Sequence, residues 1–182
     1  YGDNVTVIDG ETNNVVATVP VEDSPRAVCY NPTNNKVYVA NTGSDSVTVI
    51  DGETNEVIAT VPAGSRPWAL CYNPTNNKVY CGDWTGASVT VVDGATDSVV
   101  ATVRAGHHLC DLCYTLTGNK VYCANSGGNT VTVIHGAADT LIRTIEVGTE
   151  PASLVWNSAR NRVYVANFSS SSISVLRDLA VG

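Results

Sequence analysis

Val5-Thr6-Val7-Ile8-Asp9-Gly10 returns as Val47-Thr48-Val49-Ile50-Asp51-Gly52, as Val89-Thr90-Val91-Val92-Asp93-Gly94, and as Val131-Thr132-Val133-Ile134-His135-Gly136. The step from Val5 to Val47 is 42 residues, and it recurs without an insertion. A worn fifth copy, Ile173-Ser174-Val175-Leu176, keeps the same step. A period of this length marks a chain built from stacked supersecondary units, and 182 residues hold about 4.3 of them.

Each period contains four short segments rich in valine, threonine or tyrosine and bounded by glycine, proline, asparagine or aspartate, which predicts four strands. In one copy they fall at Trp68 to Asn73, Lys78 to Asp83, Ser88 to Asp93 and Ser98 to Val103. Asn73-Pro74-Thr75-Asn76-Asn77 supplies turn chemistry, and Asp51-Gly52 supplies a residue free to take positive φ, so each link favours an antiparallel hairpin. Runs such as Val37-Tyr38-Val39-Ala40 do not alternate apolar with polar, which predicts sheets covered on both faces. The expected fold is all-β: a β-propeller, or an open arc of one, built from four-stranded antiparallel blades. As a single domain its blades would lie at about 1–20 (partial), 21–62, 63–104, 105–146 and 147–182 (partial).

Composition narrows the function classes. The chain is 43% apolar and 15% charged, enough to bury a core. Seventeen acidic residues against ten basic ones give a net charge of -7, which opposes the phosphate contacts that nucleic-acid binding needs. No apolar run approaches the roughly 20 residues of a membrane helix, so membrane insertion is not expected. The lack of any methionine points to a processed chain or an excised segment.

Four further segments, Tyr38-Val39-Ala40-Asn41, Tyr80-Cys81-Gly82-Asp83, Tyr122-Cys123-Ala124-Asn125 and Tyr164-Val165-Ala166-Asn167, each precede the Val-Thr-Val-Ile-Asp strand or its worn copy. Together these resemble the YVTN-type β-propeller repeats of surface-layer and secreted proteins, with Ala or Gly at the third position instead of Thr. The resemblance implies an extracellular or cell-surface propeller, commonly seven-bladed, and transfers no catalytic residue or cofactor. The chain opens just before the third strand of one blade and stops after the third strand of another. Its partners would then be the remaining blades of a longer chain, or other copies recruited through open end blades into a homo-oligomer, ring or filament. A non-catalytic structural or interaction scaffold is the expected role.

Loops on one rim differ from copy to copy, and variable loops on a rigid scaffold are where binding resides. Arg66, Trp68, Trp84 and Phe168 fall there, suited to stacking on a glycan or a protein ligand. Tryptophan beside a first strand also serves simply to cap a blade. His107, His108, Cys110 and Asp111 bring imidazole, thiol and carboxylate into one short stretch, the donor set of a metal or redox centre, although Cys113 shares its repeat position with Cys29 and Cys71 and fits a core role. Cys71 with Cys81, and Cys113 with Cys123, are spaced across hairpins as candidate disulfides, the alternative being buried thiols where valine also fits. Asn4 and Asn167 begin glycosylation sequons. No motif for a nucleophile, a phosphate loop or an acid–base pair stands out.

Overall fold

A computed structural model describes residues 2–179, and its order of elements is all strand apart from one 3-10 turn at Ser126–Gly128. The hairpin β1 (Asn4–Ile8) and β2 (Val15–Pro20) comes first. Three four-stranded sheets follow: β3 (Pro25–Asn31), β4 (Lys36–Asn41), β5 (Ser46–Asp51) and β6 (Val57–Pro62); β7 (Pro67–Asn73), β8 (Lys78–Asp83), β9 (Ser88–Asp93) and β10 (Val99–Arg104); β11 (Leu109–Thr115), β12 (Lys120–Asn125), β13 (Thr130–His135) and β14 (Thr140–Glu146). A three-stranded sheet of β15 (Pro151–Asn157), β16 (Arg162–Asn167) and β17 (Ser172–Arg177) ends the series. All pairings are antiparallel between neighbours in sequence. The first strands β3, β7, β11 and β15 lie next to one another, so they form the inner wall of a propeller arc. Among the described residues β1–β2 and β15–β17 are separate sheets, and the ring is not closed. The limits of the first and last expected blades, at 1 and 182, lie outside the described residues.

Strand placement follows the sequence expectation closely, but the turn chemistry differs from it. Sixteen described residues have positive φ, none of them glycine. They fall in four columns of the repeat: 13, 55, 97 and 139; 24, 66, 108 and 150; 35, 77, 119 and 161; 45, 87, 129 and 171. Asn or Asp, which tolerate the left-handed region, fills most of these slots. The expected positive φ at Gly52 is therefore corrected to Asn55. Gly52 is needed because a Cβ there would come within 2.8 Å of the Asn35 carbonyl oxygen. Asp51 and Asp93 instead use Oδ1 to accept backbone N–H groups two and three residues on, and these bonds hold their carboxyls below the ordinary value. His135, in the same slot, accepts the N–H groups of Ala137 and Ala138 on Nδ1 at 3.2 Å each.

Apolar side chains packed between neighbouring sheets make the core. Tyr38, Ala40, Val47 and Val49 of one blade pack against Leu70, Val79, Cys81 and Val92 of the next, and the pattern repeats down the chain. The expectation of two covered faces holds for β4, where Tyr38, Val39 and Ala40 are all fully buried. Polar locks fasten the same interfaces. Tyr38 Oη and Lys36 Nζ donate to Asp97 at 2.8 and 2.7 Å, and Tyr80 Oη and Lys78 Nζ donate to Asp139 at 2.7 and 2.5 Å. Tyr122 and Lys120 grip Asp178 instead, at 2.9 and 3.1 Å.

That last lock is rebuilt by three coordinated changes. Asp178 stands in the repeat slot of Gly94 and Gly136, where a Cβ would strike one asparagine of the preceding blade, Asn31 or Asn73, and one of its own, Asn77 or Asn119. Ahead of Asp178 the slots of Asn31 and of its turn neighbour Asn34 hold Thr115 and Gly118, and a Cβ on Gly118 would come within 2.7 Å of Asp178 Oδ1, so the smaller residues leave room for the carboxylate.

The two ends of the arc differ from its interior. Val28 and Tyr30, equivalent to the covered Leu70 and Tyr72, are 64% and 54% exposed because β1–β2 cover only the outer part of that face. Ile173 and Val175, equivalent to the fully buried Val47 and Val49, are 61% and 49% exposed.

Candidate functional site

The variable rim gathers around a repeated irregularity of the inner strands. Pro25 pairs with Asn41 and Ala27 with Ala40, so Arg26 is an extra, bulged residue, and Trp68, Cys110 and Ala152 occupy the same bulge in the following blades. A β-bulge re-aims a side chain out of the pleat, and here it turns the column 26, 68, 110 and 152 toward the mouth of the arc. The neighbouring column supplies Trp84, Ser126 and Phe168, whose loop is docked on the preceding one by Trp84 N–H to Arg66 O and Phe168 N–H to Glu150 O bonds of 2.9 and 2.8 Å.

Four side chains stack across three blades. The Arg26 guanidinium lies 4.1 Å over the Trp68 ring. Trp68 and Trp84 are 4.6 Å apart, tilted by 34°, and Trp84 and His108 are 4.8 Å apart and nearly parallel, at 14°. A cation against an aromatic face and offset ring pairs are each favourable, by about 0.5–1.5 kcal/mol per contact. His108 reaches this position through its own loop. In the blades on either side, the positive-φ residue donates its N–H to a side-chain oxygen, Arg66 to Asp45 at 2.7 Å and Glu150 to Asn129 at 2.9 Å. The corresponding partner of His108 is Ala87, which has no oxygen, and the His108 N–H turns to the Trp84 carbonyl at 2.9 Å.

Beside the stack lies an open cleft of about 410 Å³ bounded by Trp68, Trp84, Ser126, Glu150 and Phe168. A second cleft of about 680 Å³ shares Arg26 and Trp68 and adds Arg66, Thr42 and Asp3. Both fall in the size range of small-ligand sites. The arrangement offers aromatic edges and faces, two guanidiniums on one side and the Glu150 carboxylate on the other. Glu150 accepts a bond from the Ser169 hydroxyl.

Trp68, Trp84 and Phe168 line one cleft and Arg66 lines the neighbouring one with Trp68, while Arg26 and His108 extend the aromatic stack. Both additions were visible as columns of the repeat: Arg26 shares its column with Trp68, and His108 shares one with Arg66. Among the described residues no three His, Cys, Asp or Glu side chains are grouped to hold a metal, which corrects the metal reading of His107, His108, Cys110 and Asp111. His108 stacks on Trp84, and the Cys110 thiol donates to the Pro151 carbonyl at 3.1 Å. Asp111 turns to the next blade, accepting the Leu154 N–H at 2.7 Å and the Ser153 hydroxyl at 3.0 Å. His107 is exposed.

The candidate disulfides are also corrected, since all six cysteines are free. Cys71 faces Tyr80 and Cys113 faces Tyr122, so Cys81 and Cys123, one residue further along, project from the opposite faces of their sheets. Burial pushes the Cys29 and Cys113 thiols up to about 11 and the Cys71, Cys81 and Cys123 thiols further, so they remain protonated. Asn4 is exposed at the start of β1. Asn167 is buried, with Nδ2 donating to Ser172 and Ser174 at 3.2 and 2.9 Å, so its amide is not presented as a glycan acceptor.

No protein-family model and no curated protein matches this chain. Its likeness is to solved structures. A functionally unknown protein from Desulfotomaculum acetoxidans DSM 771 superposes with a TM-score of 0.79 at 16% identity, covering 100% of this chain and 66% of that one. A chain of the mitotic checkpoint complex gives 0.80 at 13% identity, covering 93% and 54%. The dihydro-heme d1 dehydrogenase NirN in complex with DHE gives 0.80 at 16% identity, covering 97% and 40%. The chain thus spans two thirds or less of each of these structures. The likeness establishes the β-propeller fold, and at these identities it establishes the fold alone.

Proposed function

We propose that this chain is a non-catalytic interaction scaffold, extracellular or at the cell surface, that holds a carbohydrate or peptide ligand on its variable rim. The observation that carries the reading is the Arg26–Trp68–Trp84–His108 stack beside the cleft that Phe168 borders. Aromatic surface held by bulged strands of a rigid arc binds a sugar face or a flat side chain at little entropic cost. The extracellular setting rests on the resemblance to YVTN-type repeats.

Titration with neutral and charged oligosaccharides and with short peptides, followed by calorimetry, tests the reading. Trp68→Ala or Trp84→Ala should weaken binding at least tenfold while the thermal midpoint stays within a few degrees, since the removed contacts are worth about 1 kcal/mol each to folding. Ligand binding that survives both substitutions would sink the rim as the site.

The exposed ends favour a second reading, in which copies of the chain also assemble with one another. The C-terminal face carrying Ile173 and Val175 has the residue types that cover Leu70 and Tyr72 inside the arc, and the N-terminal face leaves the matching Val28 and Tyr30 bare. Every internal blade interface is an example of this match. Head-to-tail contact of the two faces would bury both, with β17 seated beside β1, whose Val5 and Val7 already hold the slots of Ile173 and Val175.

A further inference from the structure

On the rim opposite the aromatic stack, the last blade departs from the charge pattern of the others. In each blade the first residue of the second strand faces the last residue of the third: Lys36 faces Asp51, Lys78 faces Asp93, and Lys120 faces His135. In the last blade this rung is Arg162 facing Arg177. Like charges directly opposite on a ladder repel, where the first two blades gain from attraction. A third arginine, Arg160, sits in the adjoining turn, at the slot held by Asn34 and Asn76 in two earlier copies.

We propose that Arg160, Arg162 and Arg177 form a binding site for a tetrahedral oxyanion, a phosphate or sulfate group. The three side chains are exposed and line one cleft of about 480 Å³ with Asn161. Among the described residues every ion pair is made by a lysine, so none of the three guanidiniums is neutralised by a carboxylate. Asp178 also lines the cleft, but its charge is balanced by Lys120 at 3.1 Å. Asn161 adds a donor. Its Oδ1 accepts the Thr117 hydroxyl at 2.8 Å, while its Nδ2 has lost the acceptor that Asn77 and Asn119 find in the preceding blade, because Gly118 occupies that slot. Guanidiniums present pairs of N–H donors matched to the spacing of oxyanion oxygens, and two or three of them around one dianion turn a repulsive rung into a charge-assisted network. A single carboxylate has too few oxygens to bridge all three.

The test measures thermal midpoint and calorimetric binding with inorganic phosphate, inorganic sulfate and sodium chloride at equal ionic strength. Phosphate or sulfate at millimolar concentration should raise the midpoint by several degrees where chloride does not. Arg162→Gln should weaken binding at least tenfold. Arg177→Asp restores the opposite-charge rung of the other blades, so it should remove the anion effect in a protein that is as stable as the parent without anion. Phosphoserine against galactose 6-sulfate then separates a phosphate-bearing source from a sulfate-bearing one. The proposal fails if neither anion differs from chloride, or if the anion effect persists in both substituted proteins.

Discussion

Asp83 holds a slot that is asparagine in the three other copies, and the consequences are electrostatic. Asn41 and Asn125 donate through Nδ2 to the hydroxyls of the following strand, Asn41 to Ser46 and Thr48 at 3.2 and 2.9 Å. A carboxylate has no hydrogen to donate. Asp83 accepts from Ser88 alone, its Oδ1 is buried without a partner, and burial raises its carboxyl to about 6. Because the folded value lies above the ordinary 3.8, the neutral acid is favoured in the folded state. The stability it contributes is full below about pH 4 and is lost as pH rises through about 6, a difference of order 2–3 kcal/mol. Asp83→Asn should therefore stabilise the protein at pH 7 by about 2 kcal/mol and remove the pH dependence that this site gives the parent between pH 4 and 7. Denaturant melts at pH 4, 5, 6 and 7 check this, and parallel curves for parent and variant would refute it. The substitution was legible as a departure from the repeat, but its burial was not, because Gly64, which faces the carboxylate together with the local Gly86, comes from the separate loop between β6 and β7.

The strand is the scale at which the sequence was most readable. Turn residues recur at fixed offsets, and valine-rich segments between them leave little choice of boundaries. Pairing parity was harder to see. A four-residue loop between Asn73 and Lys78 puts partners an odd number of residues apart, so Cys71 meets Tyr80, nine positions on, and a ten-residue spacing cannot form a bridge. The locks between blades were invisible for another reason. Each joins a strand to a turn about 60 residues away, as Tyr80 and Lys78 join Asp139, and no local pattern announces such a pair. Asp139→Asn keeps the Tyr80 bond but strips the mostly buried Lys78 of its counter-charge. It should destabilise the protein by about 3 kcal/mol, and Tyr80→Phe by about 1 kcal/mol. Urea unfolding measures both, and equal, negligible losses would show the lock to be incidental.

At the scale of the whole arc, stability is a sum of blades and of the interfaces between neighbours, so it must fall toward the ends. The middle blade β7–β10 is packed on both faces. The β1–β2 hairpin has two strands and one covered face, and β17 has exposed residues on both faces. Local opening costs least where few apolar groups are buried, so amide exchange should be fastest in β1, β2 and β17 and slowest in β8 and β9. The assembly reading makes this gradient depend on concentration. If the face of Ile173 and Val175 seats against Val28 and Tyr30 of another copy, raising the concentration should slow exchange in β3 and β17 together, with light scattering rising in step. The middle blade would serve as the internal standard, since its interfaces are already filled. Ile173→Lys should erase the concentration dependence without altering exchange in β8 and β9, because that side chain meets solvent in the single chain. Exchange at β3 and β17 that stays constant over a hundredfold range of concentration, with a constant particle mass, would rule out head-to-tail association of the two end faces.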